Sequence, residues 1–169
     1  MSRAMNTSVI PNVAVPRRIL GFERDAADDW IAQLDCGHRR HIRHRPPLTE
    51  YPWIADAAGR AARVGAEIEC ERCGRRELPD GAAPYRTTDE FDEATLPAGL
   101  RRDHTTRVGV WGRAEVLAGR LRFVMPALAV DQVIHAGGHA IIPPELPHHV
   151  EPLGPVRMRV VFLRVPPSK

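Results

Sequence analysis

The chain has 169 residues, 24 Lys and Arg against 21 Asp and Glu, and 43% hydrophobic residues. That composition excludes wholesale disorder, and the length allows one ordinary domain or two small ones. A net charge of +3 is compatible with nucleic-acid binding but does not demand it. No apolar run approaches the roughly 18 residues of a membrane helix. Pro11 and Pro16 interrupt the N-terminus where a secretory signal would need a continuous apolar stretch. A cytoplasmic protein without a membrane partner is the expectation.

Residues 1–17 read as a flexible arm, rich in Ser, Asn, Thr and Pro with no sustained period. Residues 18–78 read as strand, turn, helix, strand, turn. Trp30–Leu34 alternates apolar and polar, which predicts a short strand. Asp56 is placed to cap a helix over Ala57–Val64, with Gly65 as its stop. Pro79-Asp-Gly-Ala-Ala-Pro84 then breaks regular structure, so residues 79–89 read as a linker. Residues 90–169 carry short β-type runs instead of helical periods. The runs are Thr106–Trp111, Arg113–Leu117, Leu121–Val124, Val130–His135, Ala140–Ile142 and Val156–Val165, punctuated by Ala118-Gly119 and Gly137-Gly138. Many short strands at close spacing predict a sandwich or barrel.

The three cysteines, Cys36, Cys70 and Cys73, all fall in the first half. An odd number cannot close a disulfide set within the chain, and in a cytosolic protein metal or redox chemistry is the better reading. Cys70-x2-Cys73 places two thiolates on one tight turn, and Cys36-Gly37-His38 supplies a third thiolate and an imidazole. Such a set of three Cys and one His suits a closed structural Zn2+ site. His41 is the alternative fourth ligand, and His44 is a weaker one. The competing reading, a redox Cys-x-x-Cys pair, wants a βαβ context that is absent here. Arg39, Arg40, Arg43 and Arg45, with the histidines between them, form an acid-free run. They could contact phosphates on nucleic acid. The favoured reading is a solvated face or pairing with Asp25, Asp28, Asp29 and Asp35.

Two resemblances add to this. Leu34–His38, His41–Pro47, Pro52-Trp53, Gly59–Arg63 and Cys70–Cys73 resemble a small bacterial domain family that carries no assigned activity, over about residues 19–76. Leu100–Thr106, Gly109–Gly112, Val116–Leu121, Pro144–His148 and Val150–Val156 resemble the TehB/YeaR-like domain associated with tellurite-resistance proteins, over about residues 90–165. The second resemblance implies a single cupin, a double-stranded β-helix or jelly-roll barrel whose mouth holds a metal or small ligand. In the cupin pattern, Gly137, Pro143 and His148 fit the second motif, with Glu145 in the place of a glycine. Gly119 fits the turn of the first motif. His104 stands slightly early, and Val108, Val110 and Trp111 stand where a second His and a Glu belong. The usual three-His-one-Glu set is therefore incomplete. Trp111 reads as core, and His135 and His139 as surface residues beside a turn.

The expectation is thus a mainly β chain, with a zinc-stapled α+β module followed by a cupin. Its function is that of a metal-binding, stress-response-type protein whose barrel takes a small ligand or oxyanion, with tellurite resistance implied by resemblance alone. His104 and His148 line the mouth, with Glu145 and Arg101 as helpers; the opposing reading is that these histidines brace strand ends. The alternatives are a divalent-metal cupin enzyme with a second metal at His104 and His148, and an adaptor binding nucleic acid or protein through Arg39–Arg45. Methyl transfer is not expected, because no βαβ unit or Gly-rich nucleotide loop is present. Cupins often pair through sheet edges, so a homodimer is a further expectation.

Overall fold

The computed structural model describes residues 13–167. The chain is mainly β, in two sheets. The first is four-stranded and antiparallel, in the order β3-β2-β1-β4, from β1 (Val15–Arg24), β2 (Trp30–Leu34), β3 (Arg39–His41) and β4 (Glu67–Cys70). A helix α1 (Ala57–Arg63) precedes β4, and a single turn α2 (Glu71–Gly74) follows it. The Asp56 carboxylate accepts from the Gly59 amide at 2.7 Å, the cap expected from the sequence.

The second sheet has six strands. Its spine is the long antiparallel pair β7 (Trp111–Met125) and β10 (His149–Arg164). β5 (Ala83–Thr87) and β6 (Phe91–Asp92) pair with β10, while β8 (Val130–His135) and β9 (His139–Ile142) pair with β7.

Several strands depart from the sequence expectation. β1 begins at Val15, inside the segment read as an arm, and residues 1–12 of that arm lie outside the described residues. β1 was missed because its inward face is Val15, Arg17 and Ile19, and a central arginine hides the apolar alternation. β5 falls inside the expected linker; its five residues are all exposed, so no alternation marks it. Thr106–Val110 is a loop. Thr106 Oγ1 donates to the Val110 carbonyl at 2.7 Å, and Gly109 takes φ +71°, so the strand starts only at Trp111.

Ala118-Gly119 and Pro152–Pro155 do not end strands. β7 and β10 run through both as a paired irregularity between Pro152 and Val156. Gly119 has φ +76°, and a Cβ there would lie 2.0 Å from the Pro155 carbonyl oxygen. Only glycine meets both conditions.

The buried side chains of the two sheets form one continuous core, from Val15 and Leu34 through Cys36 and Cys73 to Trp111 and Leu163. Arg17, 3% exposed, crosses the boundary. Its guanidinium donates to the Pro144 carbonyl at 2.7 Å and lies 3.6 Å from the Glu145 carboxylate. Among the described residues, no helix is long and apolar enough to cross a membrane.

Gly119→Ala is expected to lower unfolding stability in urea by roughly 1–3 kcal/mol. Gly99→Ala, with nothing within 4 Å of its added Cβ, is expected to change it little.

Candidate functional site

β1 is antiparallel to both β2 and β4, so those two strands end at the same end of the sheet. Leu34 pairs with Ile19, and Cys70 pairs with Val15. The turn after β2 carries Cys36, Gly37 and His38. It is closed by Gly37 N–H to Leu34 O at 2.9 Å and Leu34 N–H to His38 O at 3.0 Å. Gly37 has φ +89° and abuts Val165 and Pro79, leaving no room for a side chain. Cys70 ends β4 and Cys73 lies in α2.

These four residues converge. Their ligand atoms lie within 4.8 Å of one another, and all four residues are buried. His38 Nδ1 faces the sulfurs of Cys36, Cys70 and Cys73 at 3.5, 3.3 and 3.6 Å. A tetrahedral ion with metal–sulfur bonds of about 2.3 Å and a metal–nitrogen bond of about 2.0 Å sets sulfur–nitrogen edges of about 3.5 Å. The donor set and its spacing therefore fit a divalent ion.

The protonation of the thiols points the same way. Cys36 is pushed up to about 12, first by its hydrogen bond to Cys70. Cys73 is pushed up by its bonds to Cys36 and Cys70. Cys70 is held well below the ordinary thiol range because it accepts from Cys36 and Cys73. Without a cation the cluster supports one thiolate. A divalent ion would allow all three.

The other basic-run histidines are elsewhere. His41 Nε2 meets the Asp25 carboxylate at 2.8 Å, and His44 Nδ1 accepts from the Tyr51 amide at 3.0 Å. Arg39 pairs with Glu23 at 2.5 Å and Arg43 with Asp29 at 3.1 Å, while Arg40 donates to the Glu69 carbonyl.

Trp111, fully buried, connects this cluster to the second sheet. Its indole N–H donates to the Cys36 carbonyl at 2.8 Å, and its ring meets His38 edge to face at 5.4 Å. On the opposite face of β7, Ala114 lines a chamber of about 820 Å³. Ile142, Val150, Met158, Val160 and Phe162 continue its apolar wall.

His104 and His148 both line this chamber. Their backbones form an isolated bridge, and their rings lie 4.2 Å apart. His104 Nδ1 is 3.0 Å from the Arg102 carbonyl, and His148 Nδ1 is 2.8 Å from the Leu146 carbonyl. A carbonyl only accepts, so each Nδ1 donates, and each neutral ring keeps its lone pair on Nε2. Burial holds His148 down, to about 4.

The two expected helpers do not line the chamber. Glu145, at φ +60°, is drawn to Arg17, and the Arg101 guanidinium donates to the Glu93 carbonyl. His149 turns away to Asp103, at 2.7 Å. The chamber instead contains three arginines that sequence reasoning did not single out, Arg86, Arg107 and Arg164. No local spacing marks them, because β5, the 102–110 loop and the end of β10 meet only in the fold.

Comparison with known proteins divides the chain similarly. A family model described as the TehB-like domain matches residues 86–160, and one described as a protein of unknown function (DUF3565) matches residues 20–77. The uncharacterised protein YeaR of Escherichia coli (strain K12) is 33% identical over 84 residues, covering 44% of this chain and 71% of YeaR. A crystal structure of a protein from the same strain superposes with a TM-score of 0.51 at 26% identity, covering 55% of this chain and 91% of that one. The crystal structure of TehB from Haemophilus influenzae gives a TM-score of 0.47 at 23% identity, covering 51% of this chain and 32% of TehB.

His148 generates a pH prediction. Its folded pKa is lowered to about 4, against about 6.5 in an unfolded chain. The unfolded state therefore takes up the proton first as pH falls through that window, and stability falls with it. Above about pH 6.5 the group has no effect. Between pH 7 and pH 5 the wild type is expected to lose about 2 kcal/mol more than His148→Leu in urea unfolding. Equal losses would show that His148 is protonated in the folded protein.

Proposed function

The chain belongs to the TehB-like domain family, and from that premise we propose that it is a metal-binding, stress-response-type protein that pairs a structural zinc site with a small-ligand chamber. The observation that carries the metal half is the buried Cys36, His38, Cys70 and Cys73 set at tetrahedral spacing. Bound zinc would supply a crosslink between two turns some 30 residues apart in sequence. Cys36 and His38 would hold it from the β2 turn, and Cys70 and Cys73 from the β4–α2 turn.

The ligand half rests on the chamber. The long pair β7 and β10, with shorter strands beside each, supports reading the second sheet as a cupin-type jelly roll. An apolar cavity with a few convergent polar groups is the usual form of a small-molecule site. The ligand in this reading is a small anion or oxyanion, and a link to tellurite belongs to the same proposal. Its setting would be the cytoplasm.

A second reading has one specific observation in its favour. Both His104 and His148 donate Nδ1–H to backbone carbonyls, the arrangement that orients metal-ligating histidines. It would place a second divalent metal in the chamber and make the protein a cupin-type metalloenzyme.

One measurement separates these. Elemental mass spectrometry of untagged protein is expected to find about one zinc per chain, lost in Cys70→Ala, and no second metal. Zinc removal is also expected to open the Arg-rich segment 39–76 to trypsin, because the metal's binding free energy is part of that segment's folding free energy. A metal-free chain with an equally resistant segment would overturn the zinc reading. A second metal, lost in His104→Ala/His148→Ala, would favour the enzyme.

A further inference from the structure

The chamber's charge is one-sided. Among the described residues lining it, three are arginines and none is a carboxylate. Arg86, Arg107 and Arg164 have no ion-pair partner among the described residues, although arginines elsewhere in the second sheet, such as Arg122, are paired. Desolvation does not explain this, because all three are exposed.

Their placement follows from strand register. Phe162 of β10 pairs with Arg86 of β5 and lines the chamber. Arg164 lies two residues further along the same face of β10. A register shift at this point brings Tyr85 to the chamber as well, and the Arg164 guanidinium stacks on its ring at 4.6 Å. Arg107 comes from the loop before β7. The arginines thus stand at the solvent end, while Ala114, Ile142, Val150, Met158 and Val160 are buried behind them.

Size decides between kinds of anion. About 820 Å³ lies in the range of sites for drug-sized organic molecules, about 300–1,000 Å³. A bare inorganic oxyanion at the arginines would leave the apolar wall wet. We propose that the chamber binds an organic carboxylate with an apolar body, the body against the β7–β10 wall and the head group at Arg86, Arg107 and Arg164. This rests on the reading of the chamber as a ligand site and specifies its ligand class. His148, neutral at physiological pH, adds no charge at the inner end, so the cationic field is confined to the mouth.

The test is calorimetric titration of the full chain with butanoate, hexanoate and octanoate, with 1-octanol, and with sodium tellurite. Affinity is expected to rise about two- to fourfold per methylene along the carboxylates, as burial of each methylene adds its share. Octanol should bind at least tenfold more weakly than octanoate. Arg86→Gln/Arg107→Gln/Arg164→Gln should weaken octanoate about tenfold and leave octanol unchanged; all three positions are exposed, so thermal unfolding should match the wild type. Ala114→Leu, which narrows the chamber, should weaken both. Octanol binding as tightly as octanoate, with the arginine variant silent, would overturn the anion class while leaving a ligand chamber. Tellurite binding with no chain-length trend would overturn the organic body while leaving an oxyanion site. Absence of binding by every probe would overturn both this inference and the reading of the chamber as a ligand site.

Discussion

The hydrogen bond from the Trp111 indole to the Cys36 carbonyl spans 75 residues of sequence and joins the two halves of the molecule. A buried carbonyl is costly to leave without a donor, and a buried indole N–H equally so. Each meets the other's need at the centre of a continuous core. The same indole packs edge to face on His38. The turn that offers two of the four cluster ligands is therefore shaped partly by the strand that walls the chamber. Arg17 makes a second crossing, holding the Pro144 carbonyl while lying beside Glu145.

The cluster explains why a sheet as small as the first can hold its shape. β2, β3 and β4 have five, three and four residues, and the outward faces are charged. A sheet this short buries little apolar area. Three sulfurs and an imidazole gathered at one end add buried mass, but three thiols packed this closely cannot all ionise unaided, and they leave the Cys36 and Cys73 thiols protonated. The His38 Nε2 is also buried without a partner. The geometry resolves as a site whose charge balance is completed from outside the chain.

The legible parts of the sequence were those set by neighbours along the chain. The strand Trp30–Leu34 and the strand Val130–His135 fall where alternation put them, and the Asp56 cap starts α1 at Ala57. The Cys and His spacing named four residues that the fold brings together, and the resemblance of residues 90–165 led to the TehB-like family. What escaped was set by distant partners. Arg17 disguises β1 because its partners are more than 120 residues away. Ala118-Gly119 looks like a turn until Pro155 is placed against it, when it becomes a continuous strand with one residue of left-handed backbone. Glu145 was assigned to the mouth from motif position, yet the Arg17 crossing draws it out.

The arginines show why composition says so little about function here. A net charge of +3 describes a nearly neutral chain, but the same residue type occupies three different settings. Arg17 is buried and held by a carbonyl. Arg113 and Arg159 share the Glu115 carboxylate on the outer face of β7 and β10, and hold it below the usual carboxylate range. Arg86, Arg107 and Arg164 meet at one rim with no acid beside them. Neutralised arginines contribute little field outside their pairs, whereas three unpaired ones over a low-dielectric wall focus theirs on the opening between them. The sign that matters to a ligand is therefore local to that opening, and it arises from where two strands and a loop happen to end.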